Sequence, residues 1–228
     1  MALNAGTAYM ELQLRGRKQV TSELKGMNAR LKRFGSTIKS IAAALGTAFV
    51  IKKTGDFLAH AIKRGSDMQE TMNKFNVVFG KSSEEMKKFS DELAVGFGRS
   101  KEQVAGFLSS SQDLLVPMGL NATAATDMSK GMTTLAMDLA SFNNMADADV
   151  MRDMQAALTG SGEVMKKYGV IVSEAAVKQE LLGMGLDPAN VNDAQKAMAR
   201  YNIILDGTTS AQGDVARSSE SFANQAKS

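Results

Sequence analysis

The stretch "MSKGMTTLAMDLASFNN", residues 128–144, decides how the chain is read. Met128, Met132, Leu135, Leu139 and Phe142 recur at spacings of four, three, four and three, so a helix gathers them on one apolar stripe. On that geometry Asp138 falls on the opposite side and is expected to face water. Ser141, Asn143 and Asn144 read as a helix exit and turn, because asparagine tolerates the left-handed conformation that ends helices. The polar end of the stretch is then a stop signal with no chemistry in it.

The same period repeats on both sides. Met86, Phe89, Leu93 and Phe97 form one face, Val104, Phe107, Leu108, Leu114 and Leu115 the next, and Val150, Met151, Met154 and Leu158 another. Pro117 and Gly119 separate two of these runs. Ser82-x-x-Glu85 and Ser100-x-x-Gln103 have the spacing of capping boxes, in which hydroxyl and Glu/Gln side chains satisfy the first backbone N–H groups of a helix. Asp187-Pro188 reads as an N-cap followed by proline at the first helical position. Val191, Ala194, Met198, Tyr201 and Leu205 make a last strong face. "YGVIVS" (168–173) is strand-like but has no partner run, so an extended connector is expected. Most of the sixteen methionines fall on these faces, where they fill irregular helical cores. The expected fold class is all-α.

A chain of 228 residues that is 44% hydrophobic and 22% charged can bury a core as one or two domains. It has no cysteine, which excludes a disulfide framework, a thiol nucleophile and a thiolate metal site and suits a reducing or redox-indifferent compartment. The longest nearly unbroken apolar run, "IAAALGTAFVI" (41–51), is too short for a hydrocarbon layer of about 30 Å at about 1.5 Å per residue. The N-terminus lacks the layout of a secretory signal. No membrane span is expected.

Charge divides the chain. Residues 1–65 carry twelve Lys/Arg against three acids, a net +9, and residues 66–228 carry fifteen against twenty-one, a net −6, giving the overall +3. The expected organisation is a basic amphipathic arm over 1–65, a compact helical domain over 66–208, and the start of a further helix over 209–228. In the arm, Val20, Leu24, Met27, Leu31, Phe34, Ile38, Ile41, Leu45 and Ala48 alternate spacings of four and three, the seam of a coiled coil. Leu24 to Leu45 are therefore the candidate partner seam. The flanking charges are almost all basic, so identical copies have no cross-helix salt bridges to form. The arm either packs back on its own domain, self-associates or meets an acidic partner. Arg15, Arg17, Lys18, Arg30, Lys32, Arg33, Lys39, Lys52 and Lys53 are candidate contacts to an anionic surface. Any DNA contact through them would be electrostatic and blind to sequence, since no base-reading motif accompanies them.

Catalytic machinery is hard to assemble from this inventory. His60, the single histidine, sits beside Lys63 and Arg64 without an acid partner, which leaves a triad or a histidine metal site without its other members. Asp147, Asp149 and Asp153 lack the glycine and distal glutamate of a Ca²⁺ loop and read as acids complementing a helix start. The glycines of "LTGSGEVMKKYG" (158–169) do not follow a strand or end in Gly-Lys-Ser/Thr, so they do not form a phosphate cradle. No catalytic residue, metal site or cofactor is expected.

Four stretches, "SDMQETMNKFNVVFG" (66–80), "DLASFNN" (138–144), "ALTGSGEVMKKYGV" (157–170) and "GDVARSSESFANQ" (213–225), resemble in their order and spacing the N-terminal region of phage tail tape measure proteins. The basic arm fits the same family more loosely. The resemblance implies a structural role in the virion: long helical chains, several copies inside the tail tube, whose length sets tube polymerisation and which leave as DNA is delivered. It implies assembly in the bacterial host cytoplasm, a final location in the tail lumen, and contacts with tail assembly chaperones, tail tube protein, tail tip proteins and further copies of itself. Wall-degrading domains of the family lie in parts with no match here. A helical ruler of 228 residues would span at most roughly 340 Å, and "SSESFANQAKS" opens an amphipathic helix without a stop signal. The expectation is therefore an N-terminal segment whose measuring rod lies downstream. The other reading left open is a basic helical module that binds DNA or an anionic surface.

Overall fold

The computed structural model of the chain describes residues 57–218. The regular structure there is helical throughout: α1 (Phe57–Phe79), a 3₁₀ turn (Gly80–Ser82), α2 (Ser83–Phe97), α3 (Lys101–Leu115), α4 (Ala122–Asn143), α5 (Asp147–Leu158), a 3₁₀ segment (Gly162–Tyr168), α6 (Glu174–Gly183) and α7 (Asp193–Gly207). Helix resumes at Asp214. Among the described residues no helix is long and apolar enough to cross a membrane. The seam from Leu24 to Leu45 and the basic residues from Arg15 to Lys53 lie outside the described residues. Helix α1 runs through residue 65, so the change of charge there is not a break in secondary structure.

Two apolar cores are built on either side of α4. The larger gathers Met128, Met132, Leu135 and Leu139 of α4 with Val150, Met154 and Leu158 of α5, Met165 of the 3₁₀ segment and Tyr201, Ile204 and Leu205 of α7. The smaller gathers Phe75 and Phe79 of α1, Met86, Leu93 and Phe97 of α2, Val104 and Leu108 of α3, and Met137 from the other side of α4. The Phe75 and Phe79 rings pack against each other tilted by 50°, with centroids 4.6 Å apart. Burying each such side chain stabilises the fold by about 1.5–3 kcal/mol, so both cores are needed to offset chain entropy. A third, smaller cluster joins Val177 and Leu181 of α6 to Ala199 of α7.

Helix α4 differs from the amphipathic helix expected of it. Residues 131–140 are buried without interruption, so the helix is enclosed on all sides. Gly131, Thr133, Thr134, Ala136 and Ala140 are small enough to let neighbours approach closely. Phe142, expected on the core stripe, is instead 52% exposed because the helix end projects past the first core. The exit itself matches expectation: Asn144 is left-handed (φ 52°, ψ 49°), and the Met145 N–H donates to the Ala140 carbonyl at 2.8 Å.

Helix starts follow the sequence unevenly. Ser100 caps α3 by accepting the Gln103 N–H, one half of the expected box, while the Gln103 side chain donates to Asp147 rather than back to Ser100; Ser82 makes no side-chain cap bond, because a 3₁₀ turn already leads the chain into α2. Asp187 does not start a helix: its carboxylate accepts the Ala189 N–H and an Asn190 side-chain N–H within a turn. The helix begins later, where Asn192 and Gln195 form a reciprocal capping box. The extended connector expected over 168–173 is confined to 170–173, because Tyr168 ends the 3₁₀ segment and Gly169 is left-handed.

Candidate functional site

The chemistry of this interior is concentrated at one carboxyl group. Asp138 is only 1% exposed, a correction to the expectation that it faces water. Its two oxygens accept backbone N–H groups from the segment after α7: Gly213 N–H to Oδ2 at 2.8 Å and Val215 N–H to Oδ1 at 3.2 Å. One turn further along α4, the Ser141 hydroxyl donates to Asp214 Oδ2 at 2.7 Å. Gly213 has φ +79°, which turns the chain into the helix that begins at Asp214 and aims both N–H groups at the carboxylate. Ala211 enters the larger core and Val215 the smaller, so this segment straddles the two cores that α4 divides.

Burial is the main influence on Asp138 and pushes its carboxyl up from 3.8 to about 6. The Gly213 and Val215 N–H groups oppose that shift, Asp214 adds to it, and Arg217 opposes it. Among the described residues Asp138 has no ion-pair partner; Arg217 pairs with Asp214 instead, at 3.2 Å.

The aspartates at the start of α5 are drawn to separate partners. Asp147, 7% exposed, accepts from Arg99 Nε at 2.5 Å, from Arg99 Nη2 at 3.1 Å and from Gln103 Nε2 at 3.0 Å, tying the α2–α3 corner to α5. Asp149 pairs with Arg152 on the surface, and Asp153 accepts the Tyr168 hydroxyl and pairs with Lys167. Among the described residues no three His, Cys, Asp or Glu side chains converge as a metal site. His60 falls within the first turns of α1, away in sequence from all of these groups.

Of the glycines in the 158–169 stretch, Gly160 and Gly169 take positive φ (+122° and +76°), and Gly162 serves close approach of two backbones. A Cβ on Gly162 would overlap the Val172 carbonyl oxygen and lie 2.8 Å from Val172 Cβ. Two residues earlier in the same connector, both Val170 methyl groups lie 3.0 Å from where a Cβ on Gly207 would sit. The connector is thus close-packed on both the 3₁₀ segment and the end of α7.

A seam of small polar side chains lies between α3 and α4. Ser129 donates to the Ala125 carbonyl at 2.7 Å and approaches Gln112, while Ser109 bonds the Ala105 carbonyl. The Ser90, Thr133 and Tyr201 hydroxyls are buried without a hydrogen-bond partner, and burial raises the Tyr201 hydroxyl above its ordinary range.

The Asp138 clasp was missed by pattern reading, although a signal for it exists. A solvated face between Lys130 and Asp147 would carry Lys, Glu or Gln, and this one carries Gly131, Thr133, Thr134, Met137 and Ala140. An aspartate among such residues is an enclosed one. No protein-family model, curated protein or solved structure matches the chain.

Proposed function

We propose that the chain is a structural, non-enzymatic domain, the N-terminal part of a phage tail tape measure protein. One observation carries this reading: two of the four stretches that resemble the family, 138–144 and 213–225, are fastened to each other through Asp138, Gly213 and Val215. The other two are also fold-holding. Stretch 66–80 supplies Phe75 and Phe79 to a core, and 157–170 supplies the close approach at Gly162. The residues that carry the likeness therefore act as fasteners, which is what a scaffold requires and what a catalytic site does not.

In this role the parent protein sets tail tube length, resides in the tail lumen and leaves with the DNA at ejection, after assembly in the host cytoplasm. Its partners are tail tube protein, tail assembly chaperones, tail tip proteins and further copies of itself. The test is genetic. In a phage that encodes this chain, in-frame deletions in helical sequence downstream of residue 228 shorten the tail by about 1.5 Å per residue removed. Tails of unchanged length refute the proposal.

A further inference from the structure

Helix α6 is thinly attached to the body. It rests on α7, and of its ten residues only Val177 and Leu181 are buried, whereas the twelve of α5 bury six. Around Val177, Leu181 and Ala199 the side chains of Val172, Met184, Leu186, Val191 and Ile203 are only partly covered. Ile171 and Leu182, beside two members of this cluster, stand 65% and 63% exposed. The other exposed large apolar residues, Val77, Val95, Val116 and Phe142, stand singly at separate places in the chain, which is ordinary for a folded surface. A helix as short as α6 is marginal by itself, and apolar surface gathered in one place inside a polar rim marks a docking face. The rim here leans acidic: residues 170–196 carry Glu174, Glu180, Asp187 and Asp193 against Lys178 and Lys196. Arg200, the next base along α7, is already engaged by Glu174 and the Leu158 carbonyl.

We propose that the chain's own basic arm docks on this face, with the seam from Val20 to Ala48 laid over the patch around α6 and the arm's charges meeting the acidic rim. Charge singles out this occupant. Residues 1–56 carry ten Lys/Arg against three acids, a net +7, and residues 57–218 carry sixteen against twenty, a net −4. Beside the seam, residues 18–39 hold six Lys/Arg against Glu23 alone. A second arm would meet this one with like charge, whereas the rim of the patch meets it with opposite charge, so the body is the better match. Reach agrees. As a helix the seam is about 43 Å long, and residues 49–56 can extend up to about 27 Å, against a body about 40 Å across. The arm can therefore pass from the start of α1, which serves the smaller core, to α6, which lies against α7 of the larger one. This inference stands independently of the tape measure reading, because it concerns the body and its own arm alone.

The chain has no cysteine, so a nitroxide on Ser36→Cys, off the seam, is the single spin label in the 228-residue protein. Amide NMR signals of residues 171–186 are expected to be lost to broadening and to return when the label is reduced, while those of α2 stay unchanged. Leu182→Lys, at an exposed position that the body does not need for its core, should abolish the broadening. Phe34→Ser, on the seam itself, should do the same without altering the body. A mixture of nitroxide-bearing chain at natural isotope abundance with label-free ¹⁵N chain should show no broadening, because the contact lies within one chain. The proposal is overturned by signals of 171–186 that ignore the label, or by broadening that survives Leu182→Lys or Phe34→Ser. Broadening in the mixed sample also overturns it, since that places the arm on a second copy.

Discussion

Replacing Gly162 by alanine tests the most tightly determined contact in the fold. The glycine's φ lies outside the left-handed region, so alanine meets no backbone penalty there and the whole effect is one of space. The added methyl would collide with the Val172 carbonyl oxygen and Cβ, and neither is the far end of a flexible side chain. The connector cannot retreat freely, because its Val170 is already close-packed on Gly207, with 3.0 Å to a Cβ placed there. Overpacking of a close-packed interior costs about 1–3 kcal/mol, and a clash with backbone belongs at the top of that range, about 3 kcal/mol. For a body of this size that lowers the melting temperature by about 6–12 °C. Gly106→Ala is the control: it lies inside α3 with nothing within 4 Å of the added Cβ. There the better helix former should gain about 0.5–1 kcal/mol. Urea unfolding followed by far-UV circular dichroism separates the two, with midpoints moving in opposite directions at unchanged slope. If Gly162→Ala is as stable as Gly106→Ala, the close packing of the connector is not a feature of the protein.

Two further predictions concern charge and the arm. Arg99→Ala leaves the Asp147 carboxylate with Gln103 alone at a nearly closed site, and should cost about 2 kcal/mol in urea unfolding. Lys74→Ala breaks a pair with Asp113 that is half-exposed on both sides and should change stability by less than about 0.5 kcal/mol; equal effects would remove the special standing of the Arg99 pair. If the seam from Leu24 to Leu45 self-associates, light scattering will give a larger mass for the 228-residue chain than for one starting at residue 51. Equal monomeric masses rule out self-association through the seam.

The helical character was legible because period and capping are local. Met128, Met132, Leu135 and Leu139, or Met86, Leu93 and Phe97, declare a buried face by spacing alone, and each is buried. Asn144 ends α4 as its identity suggests, and Ser100 opens α3. The failures were contests that local pattern cannot decide. Ser82 and Asp187 have good cap chemistry, but a 3₁₀ turn and an Asx turn claimed their positions first. Phe142 fits the stripe of its helix but lies beyond the core that the stripe enters.

The sequence by itself determined an all-helical body with methionine-rich cores, because apolar periodicity acts within each turn of helix and needs no knowledge of what covers it. The place of Asp138 was decided only by tertiary structure. Helical geometry puts Met137 opposite the Met128–Leu139 stripe and Asp138 on its flank, about 80° from its centre at 3.6 residues per turn, so the expectation of an opposite face is itself imprecise. Whether that flank meets water or protein depends on a second core and on a segment some 75 residues later in the chain. Those long-range partners turn a helix-end motif into a buried fastening, since a carboxylate removed from water must find donors, and Gly213 and Val215 supply them.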